Sequence, residues 1–286
     1  MIILSIHLFP HELIDFKRII DLLIRSLTII ENPNDIKLCV CLNLNEDILD
    51  YSKKELYESK SQFVKICDES KLNLEYYIGD NVNGTLGVNE HRRKTILESD
   101  DNDYIIFIDC DLYFNHKLLS HQIDIQKRIT KFVKYLIITP CVPRLWDTTW
   151  DCIVHTDFIS NNFNKHKTID SNVVNMYHGN TVKPNYVFKW AGGWFNMISA
   201  SLLKLVGIPD SFRGYGPDDT YIMECCSILR RSGVKVQQYI MKDFLVIENR
   251  ELKNKLSLKQ NLPNFRKESE RNFTDELIYF SKKYKK

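Results

Sequence analysis

The sequence predicts an α/β fold, with a mostly parallel central sheet covered by helices on both faces. Three observations predict it. Strand-like and helix-like stretches alternate through the first half of the chain. The run "YIIFI" at 104–108 has no polar residue on either side, as a strand buried on both faces requires. Each strand also ends in a polar group, at Asn43, Asp80 and Asp109. In open α/β sheets ligands bind beyond the carboxyl ends of the strands, so these residues mark the functional edge.

"IILSIHLF" is the first strand. Pro10 then opens a helix whose apolar residues Leu13, Phe16, Ile20, Leu23 and Leu27 recur at spacings of three and four. "IKLCVCL" is the second strand and ends at Asn43, and "SKKELYESKSQFVKIC" is a charged helix. "NLEYYI" is the third strand, stopping at Gly79 and Asp80; "GVNEHRRKTILES" reads as a helix and "YIIFI" as the fourth strand. From about Pro140 to Lys189 the chain carries scattered aromatics and little periodicity. Two readings stay open there, a substrate-binding flap of loops and short strands or a β-excursion packing a satellite core.

"KWAGGWFNMISASLLKLVG" follows, and then "GYGPDDTYI". From Pro217 the pattern is helical, with Ile222, Cys225, Cys226 and Leu229 on one face and Gly233 at the end. A strand pair is expected around "GVKVQQYI" and "DFLVIEN". With neither a repeat nor a linker, the expected organisation is one domain over 1–250 and a helical tail over 251–286.

Composition narrows the function classes. The chain has 286 residues, 44% of them hydrophobic and 27% charged, with a net charge of +2. It lacks the basic stripe of a nucleic-acid binder, so no nucleic-acid partner is expected. The lysines of "SKKYKK" read as a solvated helix end. The eight cysteines sit mostly in apolar runs without metal-knuckle spacing and read as buried free thiols of a reducing compartment. No apolar run reaches the roughly 18 residues of a membrane span. The first residues read as a strand and not as a signal peptide, so a cytoplasmic protein is expected. Alanine occurs only at Ala191 and Ala200 among many Asn, Ile and Lys, which points to an AT-rich genome, bacterial or viral.

Two constellations carry chemistry. In "YIIFIDCDLYF", Asp109 and Asp111 stand two apart at the strand tip, so both carboxylates can face one ligand while Cys110 turns to the core. Hard oxygen ligands of this kind suit Mn²⁺ or Mg²⁺ bridging to a diphosphate. In "GYGPDDTYI", Pro217 suits a first helical turn, and Asp218 and Asp219 lie at the positive end of the helix. The helix end favours ionisation and the like-charged neighbour opposes it, which leaves a carboxylate available as a base. Gly214 and Gly216 let backbone approach a ligand closely, and Tyr215 between them offers a face for a sugar ring.

The order of "DCD", "AGGWFN" and "GYGPDD" resembles the inverting glycosyltransferases of the GT-A fold. The likeness is nearest to the family 2 and β-1,4-galactosyltransferase-like enzymes, and it covers about Met1 to Asn249. The resemblance implies a Rossmann-like nucleotide-diphospho-sugar transferase fold. Its nucleotide-sugar half would be 1–115 and its acceptor and catalytic half 116–250. Asp109 and Asp111 would hold the metal, Mn²⁺ or Mg²⁺, and the sugar nucleotide, a UDP-sugar. Asn43, Asp80 and Arg92 would contact the nucleotide. Trp190, Gly192, Gly193 and Tyr215 would line the substrate pocket, Asp218 would bind the acceptor, and Asp219 would be the base. The implied activity is hexosyl transfer in glycan biosynthesis, to a carbohydrate, lipid-linked glycan or glycoprotein acceptor.

This sequence departs from that pattern in two places. Tyr215 and Pro217 replace a tryptophan and a glycine, and the late histidine that often completes the metal site is missing, His178 being the last. Glu248, Asn249 or water is left for that position. His155 and His178 read as surface or core residues or as acceptor contacts. "SIHLFPHELIDF" contains no glycine, which argues against a nucleotidyltransferase phosphate loop. A retaining GT-A enzyme using the same "DCD", or a non-catalytic carbohydrate-binding relic, are the alternatives.

Overall fold

A computed structural model of the protein describes residues 1–46, 49–79, 87–141, 174–175, 182–185, 194–214, 216–248 and 265–284. The first four strands, β1 (Ile2–Leu8), β2 (Ile36–Asn43), β3 (Leu74–Gly79) and β4 (Tyr104–Asp109), pair in parallel in the order β3-β2-β1-β4. A short β5 (Leu112–Tyr113) follows. The sheet grows through β6 (Tyr135–Cys141), β7 (Val182–Asn185), β8 (Trp194–Ser199) and β9 (Val236–Leu245) to the full order β3-β2-β1-β4-β8-β6-β9-β7. β8 runs antiparallel to both β4 and β6, β9 runs parallel to β6, and β7 runs antiparallel to β9. β10 (Ile247–Glu248) pairs with β5 in a separate antiparallel ribbon.

The period-two pattern of the strands divides the core into two. Ile2, Leu4, Ile6 and Leu8 of β1 and Ile106 and Ile108 of β4 pack against α1 (Leu13–Leu27), α2 (Lys53–Ser70) and α4 (Leu118–Ile129). Ile3, Ile105 and Phe107 face the other way. They pack with α3 (Val88–Glu98), α5 (Ala200–Val206), α6 (Asp218–Arg231) and α7 (Phe265–Tyr284). Central strands must be apolar on both sides because both faces are covered. α2 begins as its sequence requires: Ser52 accepts from the Glu55 N–H at 3.3 Å, and Glu55 accepts from the Ser52 N–H at 2.8 Å.

Several expectations are refined. Pro10 starts a single 3₁₀ turn (Pro10–Glu12) before α1, because the Phe9 N–H caps onto Glu12 at 2.7 Å. The expected strand pair near "GVKVQQYI" and "DFLVIEN" is instead one long β9 plus the two residues of β10. Its irregularity is taken up where the pairing to β6 jumps from Pro140–Met241 to Cys141–Leu245. α4 and β6 occupy a stretch to which the sequence reading assigned no element. Most of the aromatic middle, with His155 and His178, lies outside the described residues. Of the cysteines, Cys41, Cys67, Cys110, Cys225 and Cys226 are free and buried, and Cys39 is free and partly buried. Among the described residues no helix is long and apolar enough to cross a membrane.

Candidate active site

The carboxyl ends of β1, β2 and β4 meet the amino ends of α3 and α6, and six of the expected site residues are described there. Asp109 is the last residue of β4, with its side chain 38% exposed. Cys110 turns inward as expected and is fully buried, while Asp111 lies at the following turn. The turn is held from below by Arg18 of α1, whose guanidinium donates to the carbonyls of Leu112 at 2.6 Å and Cys110 at 3.1 Å. Arg18 also packs over the Tyr113 ring at 4.0 Å. Sequence reasoning missed it, since it looks like one more charged residue on an amphipathic helix.

α6 starts where its sequence indicates, with Asp218 and Asp219 in the first turn, but Pro217 is the N-cap just before that turn and not part of it. The two acids have different surroundings. Asp218 is buried, its Oδ2 accepting from Arg92 at 2.7 Å. With the Asn89 amide assigned the orientation that satisfies both of its ends, Asn89 donates to Asp218 Oδ1 at 3.1 Å and its amide oxygen accepts from the Gly216 N–H at 3.1 Å. Asp219 is half-buried, and its Oδ1 accepts from the N–H of its neighbour Thr220 at 2.6 Å. Burial pushes the Asp219 carboxyl up to about 7. The charge of Asp218 adds to this, and Thr220 and Arg92 act against it.

Arg92, on α3, joins the two constellations. One nitrogen donates to Asp218 and another to Asp109 at 3.0 Å, while the guanidinium lies 5.0 Å from the centre of the Phe107 ring. Burial opposes its charge, and Asp218 and Asp109 outweigh that and hold it protonated. The helix carrying Arg92 is fixed at its own start. The Asn89 N–H donates to the Gly214 carbonyl at 3.1 Å, and the Glu90 carboxylate accepts from the Gly214 N–H at 3.0 Å. Gly87 packs so closely that a Cβ on it would lie 2.8 Å from the Gly214 backbone. Gly214 takes a positive φ of 62°, a conformation that suits glycine. Asn89, Glu90 and Gly87 were not expected at the site. Their clue is a polar pair, Asn-Glu, in the first turn of a helix that follows a glycine.

A buried polar row runs beneath the site. His91 meets Ser5 Oγ through Nε2 at 2.9 Å and the Tyr77 hydroxyl through Nδ1 at 2.5 Å. Burial lowers His91 to about 3, with Arg92 adding to the effect, so its ring is neutral. His7 is likewise held well below its ordinary value by burial and then by His91 and Arg92. Asn43 is fully buried at the end of β2, its Oδ1 accepting from the Asn45 N–H at 2.9 Å. Among the described residues its Nδ2 has no partner, nor do His7 Nε2 and His11 Nδ1. Buried polar atoms are almost always bonded, so such a set beside a sheet edge is what a polar ligand would complete.

Asp80, Trp190, Gly192, Gly193 and Tyr215 lie outside the described residues. Among the described residues no three His, Cys, Asp or Glu side chains gather as a metal set. The β10–β5 ribbon nevertheless pairs Glu248 with Leu112, the residue after Asp111.

No family model and no curated protein matches the sequence. Solved structures do. The S. aureus TarS 1–349 fragment in complex with UDP-GlcNAc aligns with a TM-score of 0.50 and 11% identity, over 87% of this chain and 58% of that one. A mycobacterial protein aligns with a TM-score of 0.50 and 12% identity, over 99% of this chain and 75% of that one. The chain thus spans less than two thirds of the TarS fragment. The likeness establishes the GT-A fold, as the sequence predicted.

Proposed function

We propose that the protein is a glycosyltransferase that moves a hexose from a nucleotide-diphosphate sugar, a UDP-sugar, to an acceptor hydroxyl with inversion. The observation that carries this reading is the single guanidinium of Arg92 joining Asp109, at the strand tip, to Asp218, beside a carboxyl tuned to about 7. A donor-side carboxylate and a base are thereby held on one rigid frame. The UDP-GlcNAc bound by the TarS fragment, which shares the fold, supports the donor class.

In this reading Asp219 takes the proton from the acceptor hydroxyl as that oxygen attacks the anomeric carbon from the face opposite the leaving group. Asp109 and Asp111 offer hard oxygen ligands at the strand end, a donor set that fits Mn²⁺ or Mg²⁺. Glu248, Asn249 or water is left for the remaining position. The cation would supply charge neutralisation to the departing nucleoside diphosphate. Asn43, with His7 and His11, would receive the nucleobase and ribose, and Asp80 would complete that pocket. Trp190, Gly192, Gly193 and Tyr215 would line the side where donor sugar and acceptor meet.

The test is a melting-temperature screen with UDP-sugars, with and without Mn²⁺. Saturating ligand at about 100 times its Kd stabilises by about 2.7 kcal/mol, an easily measured shift. Asp219→Asn is expected to lower transfer by about 10²- to 10⁴-fold while UDP binding stays near wild type. A retained anomeric configuration in the product, or turnover by Asp219→Asn near wild type, removes Asp219 from the base role. Absence of stabilisation by any UDP-sugar removes the donor assignment.

A further inference from the structure

Asp218 is surrounded in a way that an acceptor contact would not be. Its side chain is 5% exposed, Arg92 engages Oδ2, and the Asn89 amide, in its assigned orientation, engages Oδ1. Arg92 is almost as buried, at 8%, and its other hydrogen bond crosses to Asp109 on β4. A planar guanidinium can serve two carboxylates at once in fixed directions, which a lysine ammonium cannot. The helix beneath Arg92 is locked on both sides. Asn89 and Glu90 fasten it to Gly214, and His91 fastens it to β1 through Ser5. The described hydrogen bonds of Asp219 run only to Thr220, through one oxygen.

We infer that Arg92 and Asp218 form one positioning device, which sets the base Asp219 relative to the donor-side carboxylate Asp109, and that Asp218 does not bind the acceptor. This rests on the glycosyl-transfer reading above. The chain of contacts Asp109–Arg92–Asp218 fixes the first turn of α6, and Asp219 is the next residue of that turn. A shift of the pair would move the base by a fraction of an ångström to an ångström, enough to lower a displacement rate by about 10²-fold. The same device ties the strand tip to the base helix, so loss of either partner should have the same consequence as loss of both.

The experiment is a double-mutant cycle on UDP-sugar hydrolysis, in which water is the acceptor and no acceptor contact is needed. The probes are UDP-GlcNAc, UDP-glucose and UDP-galactose with Mn²⁺, and calorimetry with UDP and Mn²⁺ reports nucleotide binding. Arg92→Met and Asp218→Asn are each expected to lower kcat by at least about ten-fold, with the donor KM for Asp218→Asn within about three-fold of wild type. The double variant should fall within about three-fold of the worse single variant. Arg92→Lys, which keeps the charge without the fork, should recover less than half of the loss. If circular dichroism shows that Arg92→Met does not fold, Arg92→Lys takes its place in the cycle.

Losses that multiply in the double variant overturn the device. So does an Asp218→Asn variant that hydrolyses UDP-sugar at the wild-type rate and is impaired only with a sugar acceptor, for Asp218 is then an acceptor contact. A wild-type protein that binds no UDP and hydrolyses none of the three sugars overturns the glycosyl-transfer reading itself, and the device with it. That outcome is distinct from the other two.

Discussion

Asp219 is where the residue-level chemistry is decided, because its raised proton affinity acts on both rate and stability. A base must be deprotonated, so activity should rise with pH through about 7 and level off above it. The stability effect has the opposite sign. The folded carboxyl holds its proton up to about 7, against 3.8 for an ordinary aspartate, so the folded state binds the proton more tightly than the unfolded chain. The stabilisation is therefore complete below 3.8 and is lost as pH rises through 7. Asn imitates the protonated side chain. Asp219→Asn should accordingly raise Tm at pH 8 by several degrees, at roughly 2–4 °C per kcal/mol, with the gain vanishing toward pH 4. A Tm difference that does not change with pH would show that Asp219 titrates normally. The local sequence Pro-Asp-Asp was enough to place this residue on a helix start. It could not assign the two acids, because what separates them is Arg92, which lies 126 positions from Asp218, and no periodicity encodes such a contact.

At the scale of elements, the amphipathic spacing of α1 and the unbroken apolar run of β4 were legible because a helix stripe and a doubly covered strand each impose a period on the sequence. The junction between α3 and the Gly214 loop was not, since two glycines in backbone contact leave no pattern of side chains. That junction is nonetheless what sets the site. Gly87 has φ 165°, extended backbone open to any residue, so it is glycine for space and not for conformation. Gly87→Ala would put a methyl 2.8 Å from the Cα and carbonyl oxygen of Gly214, and rigid backbone atoms must give way. The expected cost is about 1–3 kcal/mol of stability. The loop that moves leads into the first turn of α6, with Asp218 and Asp219, so kcat should fall further than the Tm loss implies when measured well below Tm. Urea unfolding and UDP-sugar turnover on the same preparation check this, and a variant with wild-type stability and turnover would show that the junction yields easily. The long β9 shows the converse limit: Lys242 and Asp243 look like a turn, yet the strand runs on through them, and the pairing with β6 skips from Met241 to Leu245.

Taken as a whole, the molecule has two cores, one on each face of the sheet, and the helix that carries the base packs into one of them. On the face of α3 and α6, the C-terminal helix α7 lays Phe273 and Phe280 against Tyr221, whose ring centre is 6.3 and 6.4 Å from theirs. Glu276 of α7 accepts from the Ser211 hydroxyl at 2.6 Å. Ser211 and Tyr221 bracket the segment that carries Gly214 and Asp219, so α7 clamps both ends of the loop from outside. A polar helical tail was legible in the sequence, but its clamp was not, because Phe273, Leu277 and Phe280 are too sparse to declare which partner they cover. On the opposite face, in the other core, Phe63 of α2 packs at 5.5 Å from Phe16 and 5.4 Å from Tyr76. The two phenylalanines make a matched pair of probes. Phe280→Ala and Phe63→Ala should each cost about 3–5 kcal/mol, as buried aromatic truncations do. If the face of α7 holds the base, Phe280→Ala should also lower kcat several-fold at temperatures well below its Tm, while Phe63→Ala lowers Tm alone. Equal effects on kcat would mean that the sheet transmits disturbance evenly from both cores, and that α7 acts on the site only through overall stability.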